Sequence, residues 1–194
     1  LSQKIKILVY AGFGAIILAA ILLRWNYPPQ PELAVLEELP DFHLTDQSGN
    51  AFSRDDLTGK VWVADFIFTT CAGPCPIMSS QFTELQDRFS HLPDFRLLSI
   101  SVNPEYDTPQ VLKEYGDHYN ADHSRWSFLT GEREAIHKLA VDGFHIGSVE
   151  DPIFHSIRFI LVDSKGRIRG YYISSEMDEM KKLWRDVERL AEST

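Results

Sequence analysis

Hydrophobic and polar positions follow three regimes along this chain. From Ile7 to Leu23 no charged residue interrupts a run of Leu, Ile, Val, Ala, Gly, Phe and one Tyr. The run is apolar on every side rather than along one stripe, which argues against a core helix. At about 1.5 Å rise per residue it nearly crosses a hydrocarbon layer of roughly 30 Å, and Ile5 and Trp25 extend it. The pattern predicts one membrane span within residues 1–25. Asn26 to Pro40, with Pro28, Pro29, Pro31 and Pro40, reads as a stiff tether. The folded domain is expected over residues 41–194.

Within that domain the period changes from element to element. Phe42-His43-Leu44-Thr45 and Ala51-Phe52, around the turn residues Asp46 to Asn50, predict a short hairpin. Val61 to Phe68 is nearly continuous in β-branched and aromatic residues, as expected of a strand covered on both faces, with Asp65 interrupting it. A helix is expected from about Pro76, with Ile77, Phe82, Leu85 and Phe89 on its apolar side. Phe95 to Val102 predicts a second buried strand, and Thr108-Pro109 opens a helix through Tyr119. Trp126 to Leu129 reads as a strand and Arg133 to Phe144 as a helix. Ser156 to Val162 and Arg167 to Tyr172 form a hairpin about Asp163-Ser164-Lys165-Gly166, and Glu176 to Ala191 is an amphipathic closing helix. Helical crossovers make the early strands parallel, and the late hairpin adds an antiparallel pair. The expected fold class is α/β, a thioredoxin-like sandwich with a mixed central sheet, preceded by one N-terminal transmembrane helix.

Composition narrows the function. A formal net charge of -9 and no basic tract argue against nucleic acid as a partner. Lys4 and Lys6 precede the apolar run and Arg24 follows it, which favours a cytoplasmic N-terminus and an exported domain. A cleavable signal peptide would share the basic start, but its apolar region is usually shorter and no small-x-small site follows Leu23. Either way the domain lies outside the cytoplasm, in a compartment that lets a thiol pair oxidise unless a reductant or a metal protects it. A bacterial cytoplasmic membrane is the expected location, the mitochondrial inner membrane facing the intermembrane space the alternative.

All the thiol chemistry sits in one segment, Thr70-Cys71-Ala72-Gly73-Pro74-Cys75-Pro76, since the chain has 2 cysteines. It falls where a buried strand turns into a helix, and N–H groups at a helix start favour thiolate, the form that attacks disulfides and binds soft metals. If Cys71 and Cys75 shared a helical face, their Cβ atoms would be roughly 5 to 6 Å apart, a separation suited to a shared metal. Gly73 and Pro74 could instead let the loop close into a disulfide. The usual redox motif has one residue fewer between its cysteines, so this spacing leans towards metal. Two thiolates hold Cu(I), and an imidazole would secure the site and admit Cu(II). Of the 7 histidines, His43, His91, His118, His123, His137 and His145 fit surface or packing positions. His155 stands at the entrance to the late buried strand, beside the cysteine-bearing helix in a thioredoxin-like fold, and is the expected third ligand. Met78 and Trp62, Trp126 and Trp184 read as core or packing residues, and Asp65 as a carboxylate either structurally hydrogen-bonded or assisting proton movement at the thiols.

The cysteine segment, then Ser101-Val102-Asn103-Pro104-Glu105-Tyr106-Asp107-Thr108-Pro109, then His155-Ser156 with Phe159 to Asp163, resemble the Sco/SenC family in content and order, from about Phe42 to Tyr172. The resemblance implies a membrane-anchored, thioredoxin-like copper protein that assists assembly of the copper A site of cytochrome c oxidase, with ligands at Cys71, Cys75 and His155. Its implied partners are the copper A-bearing oxidase subunit and an upstream copper donor or thiol reductant. Two positions depart from the family: Phe154 replaces the acidic residue often found before the histidine, and Asn103 the first acid of the middle motif. Asp107 remains and reads as a helix cap before Thr108. The alternative function is an extracytoplasmic thiol-disulfide oxidoreductase that reduces the oxidase subunit's cysteines through Cys71 and Cys75, without a third ligand. A peroxidase lacks an identifiable activating shell.

Overall fold

The computed structural model describes residues 32–147 and 157–193, together with scattered helical positions between Gln3 and Trp25. Contacts divide the chain into two compact units, Leu1–Leu33 and Ala34–Thr194. Many positions of the predicted span lie outside the described residues, and among the described residues no helix is long and apolar enough to cross a membrane.

The second unit is built on strand β4 (Val61–Ile67), buried at every position as its unbroken apolar character requires. Residue alternation sends Trp62, Ala64 and Phe66 to one face and Val63, Asp65 and Ile67 to the other. Helix α1 (Cys75–Arg88) carries the chain to β5 (Phe95–Ser101), which lies parallel to β4 from Val61↔Phe95 to Ile67↔Ser101. Helix α2 (Pro109–His118) leads to β6 (Trp126–Thr130), parallel to β5. On the other side of β4, β7 (Arg158–Val162) runs antiparallel and turns into β8 (Arg167–Ile173). The turn is fixed by Asp163, whose Oδ1 accepts the Lys165 and Arg167 N–H groups, and by Gly166 at φ 74°. Helix α4 (Met177–Glu192) closes the unit.

The sheet is larger than the pattern suggested. The hairpin β2 (His43–Asp46) and β3 (Ala51–Ser53) joins its far edge through Thr45↔Thr130. At the opposite edge β1 (Glu37–Glu38), within the stretch read as a tether, pairs with β8. Leu36 N–H and Leu39 N–H donate to Ile168 and Gly166, and the Leu39 side chain is buried, so exposed edge groups of β8 find partners. The order is β1-β8-β7-β4-β5-β6-β2-β3. The mixed sheet with helices agrees with the α/β reading.

One helix departs from expectation. Helix α3 (Arg133–Lys138) widens into a π-turn over Leu139–Gly143, where Phe144 N–H bonds to Leu139 O. The wide turn brings Phe144 edge-on to Trp62 and Phe66, at ring-centroid separations of 6.1 and 5.3 Å. Gly143 meets Pro40 there, where an added Cβ would lie 3.3 Å from the proline ring. On the opposite face Phe82 of α1 packs on Trp126 and Phe159.

Candidate metal and thiol site

The functional loop begins where β4 runs out of ladder partners. Cys71 N–H donates to Phe68 O, closing a turn, and residues 72–74 bend before α1 starts at Cys75. Pro74 stands at the N-cap and Pro76 in the first turn, positions where a missing N–H costs nothing. The expectation that both cysteines share a helical face is therefore corrected: Cys71 precedes the helix, because the Gly73-Pro74 bend places it in front of the first turn.

That bend makes the thiols unequal. Both are free, Cys71 partly exposed and Cys75 buried. Burial works against ionising Cys71, but the Cys75 N–H, the Cys75 thiol and the Gly73 N–H, with N···Sγ 3.4 Å for the last, outweigh it and bring Cys71 below the ordinary thiol value. Cys75 moves the other way. Burial raises it most, the Phe68 N–H opposes, and the Cys71 sulfur and the Asp65 charge raise it further. An accessible, thiolate-favouring sulfur stands beside a deeper thiol that resists ionisation.

Polar groups lie behind the pair inside the core. Asp65 is fully buried on β4, opposite Ser99 in the register, and neither carboxylate oxygen has a partner within hydrogen-bond geometry. Burial pushes its pKa to about 7, while the Ser99 hydroxyl pulls the other way. Ser99 Oγ accepts from Trp126 Nε1 at 3.0 Å. Ser79, one turn along α1 from Cys75, is 2.8 Å from the Tyr115 hydroxyl, and burial raises that phenol above its usual range. Of the two roles open to Asp65, a satisfied structural hydrogen bond is the one this geometry does not supply.

The expectation that Asp107 caps the helix is also corrected. Thr108 is the N-cap, its Oγ1 accepting Val111 N–H at 3.3 Å. Asp107 points inward instead and is fully buried. Its Oδ2 accepts Thr69 N–H at 3.1 Å and Ser101 Oγ–H at 2.5 Å, and its Oδ1 accepts Thr69 Oγ1–H at 2.5 Å. A signal was available: with Asp and Thr adjacent before Pro109, only one can cap the helix, which frees the other for a different partner.

His155 lies outside the described residues, as does Phe154. Among the described residues no other histidine joins the two thiols in a metal-holding cluster: His123 is half-buried on Phe128 and pairs with Asp117 at 2.8 Å, His145 faces Glu37 at 3.6 Å and His118 lies edge-on to Tyr119. Met78 and Trp126 are core residues, and Trp184 stacks under Arg88 at 3.9 Å. Among the described residues no cluster of three or more His, Cys, Asp or Glu side chains could hold a metal. The described part of the site is a two-sulfur donor set, chemically soft, and fits a soft monovalent ion.

The sequence model of the family described as SCO1/SenC matches residues 32–192. The SCO1 protein homolog of Bacillus subtilis is 34% identical over 156 residues, covering 77% of this chain and 81% of the relative. The structure of BsSco, a Sco-family cytochrome c oxidase assembly protein in which a disulfide switch was identified, superposes at a TM-score of 0.74 with 31% identity, covering 85% of this chain and 99% of that one. Yeast Sco1 with copper bound superposes at 0.61 with 25% identity, over 79% of this chain and 87% of that one.

Proposed function

The chain belongs to the SCO1/SenC family, and from that premise we propose that it is a copper carrier serving assembly of the copper A site of cytochrome c oxidase. Copper is its cargo, held by Cys71, Cys75 and His155. The apolar run Ile7 to Leu23 anchors it in a bacterial cytoplasmic membrane, with the domain on the extracytoplasmic side.

The observation that carries this reading is the pair of free thiols at the junction of β4 and α1, near enough that each shifts the other's ionisation. Two soft donors held together there need little rearrangement to take a monovalent ion. Copper-bound yeast Sco1 has the same fold. Delivery proceeds by ligand exchange, with thiolates of the acceptor replacing those of the carrier one at a time. Cu(I) titration of the full chain in detergent tests it: one ion per chain is expected. His155→Ala should weaken Cu(I) binding at least ~10-fold while Cys75→Ser abolishes it, and unaltered affinity in His155→Ala would remove the third ligand.

The inequality of the two thiols supports a second reading, reduction of the oxidase subunit's cysteines. Cys71 thiolate attacks one sulfur of the substrate disulfide and expels the other as thiolate. Cys75 then loses its proton and attacks Cys71 Sγ, releasing the second substrate thiol and leaving the Cys71–Cys75 disulfide. Substrate gains two electrons, and the chain loses two to be restored by an external thiol reductant. Disulfide reduction that survives His155→Ala and stops in Cys75→Ser would favour this reading over copper delivery.

A further inference from the structure

We propose that Asp107 is a positioning residue for the thiol pair: through Thr69 it fixes the backbone that presents Cys71, and so sets how tightly the two sulfurs hold copper and how readily they pair. The inference rests on the reading of Cys71 and Cys75 as copper ligands and adds to it a group that touches neither sulfur.

Three donors converge on this buried carboxylate, and all come from the ends of the two neighbouring parallel strands. Thr69 supplies its N–H and its hydroxyl from just beyond β4, and Ser101 supplies its hydroxyl from the last position of β5. The carboxylate is itself held. Asn103 O accepts the N–H groups of Tyr106 and Asp107, and Asn103 N–H donates to Ser101 Oγ at 3.1 Å, which leaves the serine proton free to point at Asp107. Among the described residues no Lys, Arg or His forms an ion pair with it. Such an arrangement serves position rather than charge neutralisation. A carboxylate taken from water needs its lone pairs satisfied, and here the groups that satisfy it belong to the thiol loop.

The loop depends on Asp107 in return. Beyond Ile67 the β4–β5 ladder is over, and Thr69 N–H finds its acceptor in Asp107 rather than in a strand. Two residues later Cys71 Sγ sits in the bend that follows, where it accepts the Gly73 N–H at an N···Sγ distance of 3.4 Å. A backbone free to swing at Thr69 carries Cys71 off that cradle. Partners behind a ligand, when removed, typically cost about 10- to 100-fold in metal affinity.

The test compares Asp107→Ala, Asp107→Asn and Thr69→Val in the full chain by three measurements. These are Cu(I) affinity in competition with a chromophoric chelator, the Cys71–Cys75 equilibrium constant against glutathione without copper, and the thermal midpoint. Asp107→Ala is expected to lose ~10- to 100-fold in affinity and to shift the thiol equilibrium several-fold towards dithiol. Asp107→Asn keeps the side chain's shape and one acceptor oxygen, and should recover most of both. Thr69→Val, which keeps the N–H donation and removes the hydroxyl, should show a smaller loss in the same direction, and covers the case in which Asp107→Ala does not fold. Wild-type affinity and wild-type thiol equilibrium in folded Asp107→Ala, or in Thr69→Val, would overturn the proposal. Wild-type chain that binds no Cu(I) would overturn the copper reading instead, and the glutathione equilibrium would still decide the role of Asp107.

Discussion

At the scale of single residues, the site is asymmetric because its two sulfurs meet different surroundings within one turn of chain. Cys71 lies in front of a helix start and collects N–H groups, while Cys75 is the first helical residue and faces the core. Asp65 adds a carboxyl on the core side that forms no ion pair among the described residues, and its folded pKa of about 7 lies above the ordinary value of 3.8. A carboxyl raised in this way favours the fold when protonated. Its support is complete below pH 3.8 and lost as pH rises through 7, for a penalty of about 4 kcal/mol at most when fully ionised. Urea unfolding of Asp65→Asn and wild type should therefore differ by an amount that changes with pH. Whatever fixed cost the buried amide brings, the stability of the variant relative to wild type should rise by ~2–4 kcal/mol between pH 4 and pH 8. A difference independent of pH would mean that the Asp65 carboxyl titrates in the folded chain as it does in the unfolded one, with no rise in its pKa.

At the scale of elements, the two loops that follow β4 and β5 form one unit, and adjacent residues of the second loop have separate duties. Thr108 caps α2, and Asp107 reaches across to the thiol loop. Thr108→Ala should cost about 1 kcal/mol in stability and leave Cu(I) affinity alone, the opposite emphasis to Asp107→Ala. Denaturant midpoints and chelator competition on the two variants read this directly. Helices and strands with strong periods were legible in the sequence: β4, β5, α2 and α4 lie within a residue or two of where their patterns put them. Features set by partners distant in the chain were not. Glu37–Glu38 has no strand pattern and pairs only because β8 offers an open edge. The π-turn over Leu139–Gly143 exists because Phe144 must reach Trp62 and Phe66. Local pattern likewise gave the positions of Cys71 and Cys75 but not their inequality, which depends on where Gly73 and Pro74 end the turn and begin the helix. Asp107 was hidden for the same reason, since local chemistry offered it a cap and a residue 38 positions away offered it more.

At the scale of the molecule, a single sheet with helices on both faces places the thiols at its C-terminal edge, at the junction between β4 and α1. Such edges of open α/β sheets are where ligand sites collect, because helix starts and strand ends meet there. The acidic balance of -9 argues against nucleic acid as a partner and is compatible with the cation cargo proposed above. The bracket from Thr69 to Asp107 should also restrain this edge. A loop amide near a protein surface ordinarily trades its hydrogen for solvent deuterium through small local openings, but the Thr69 amide hydrogen is held by a fully buried carboxylate tied to the neighbouring strand. It should exchange as slowly as the amides of β4 and β5, whereas those of Ala72 and Gly73, only a few positions on, exchange early. Isotope labelling followed residue by residue would then show a protected post standing between the sheet and its reactive tip, and early exchange at Thr69 would show that the post is not there.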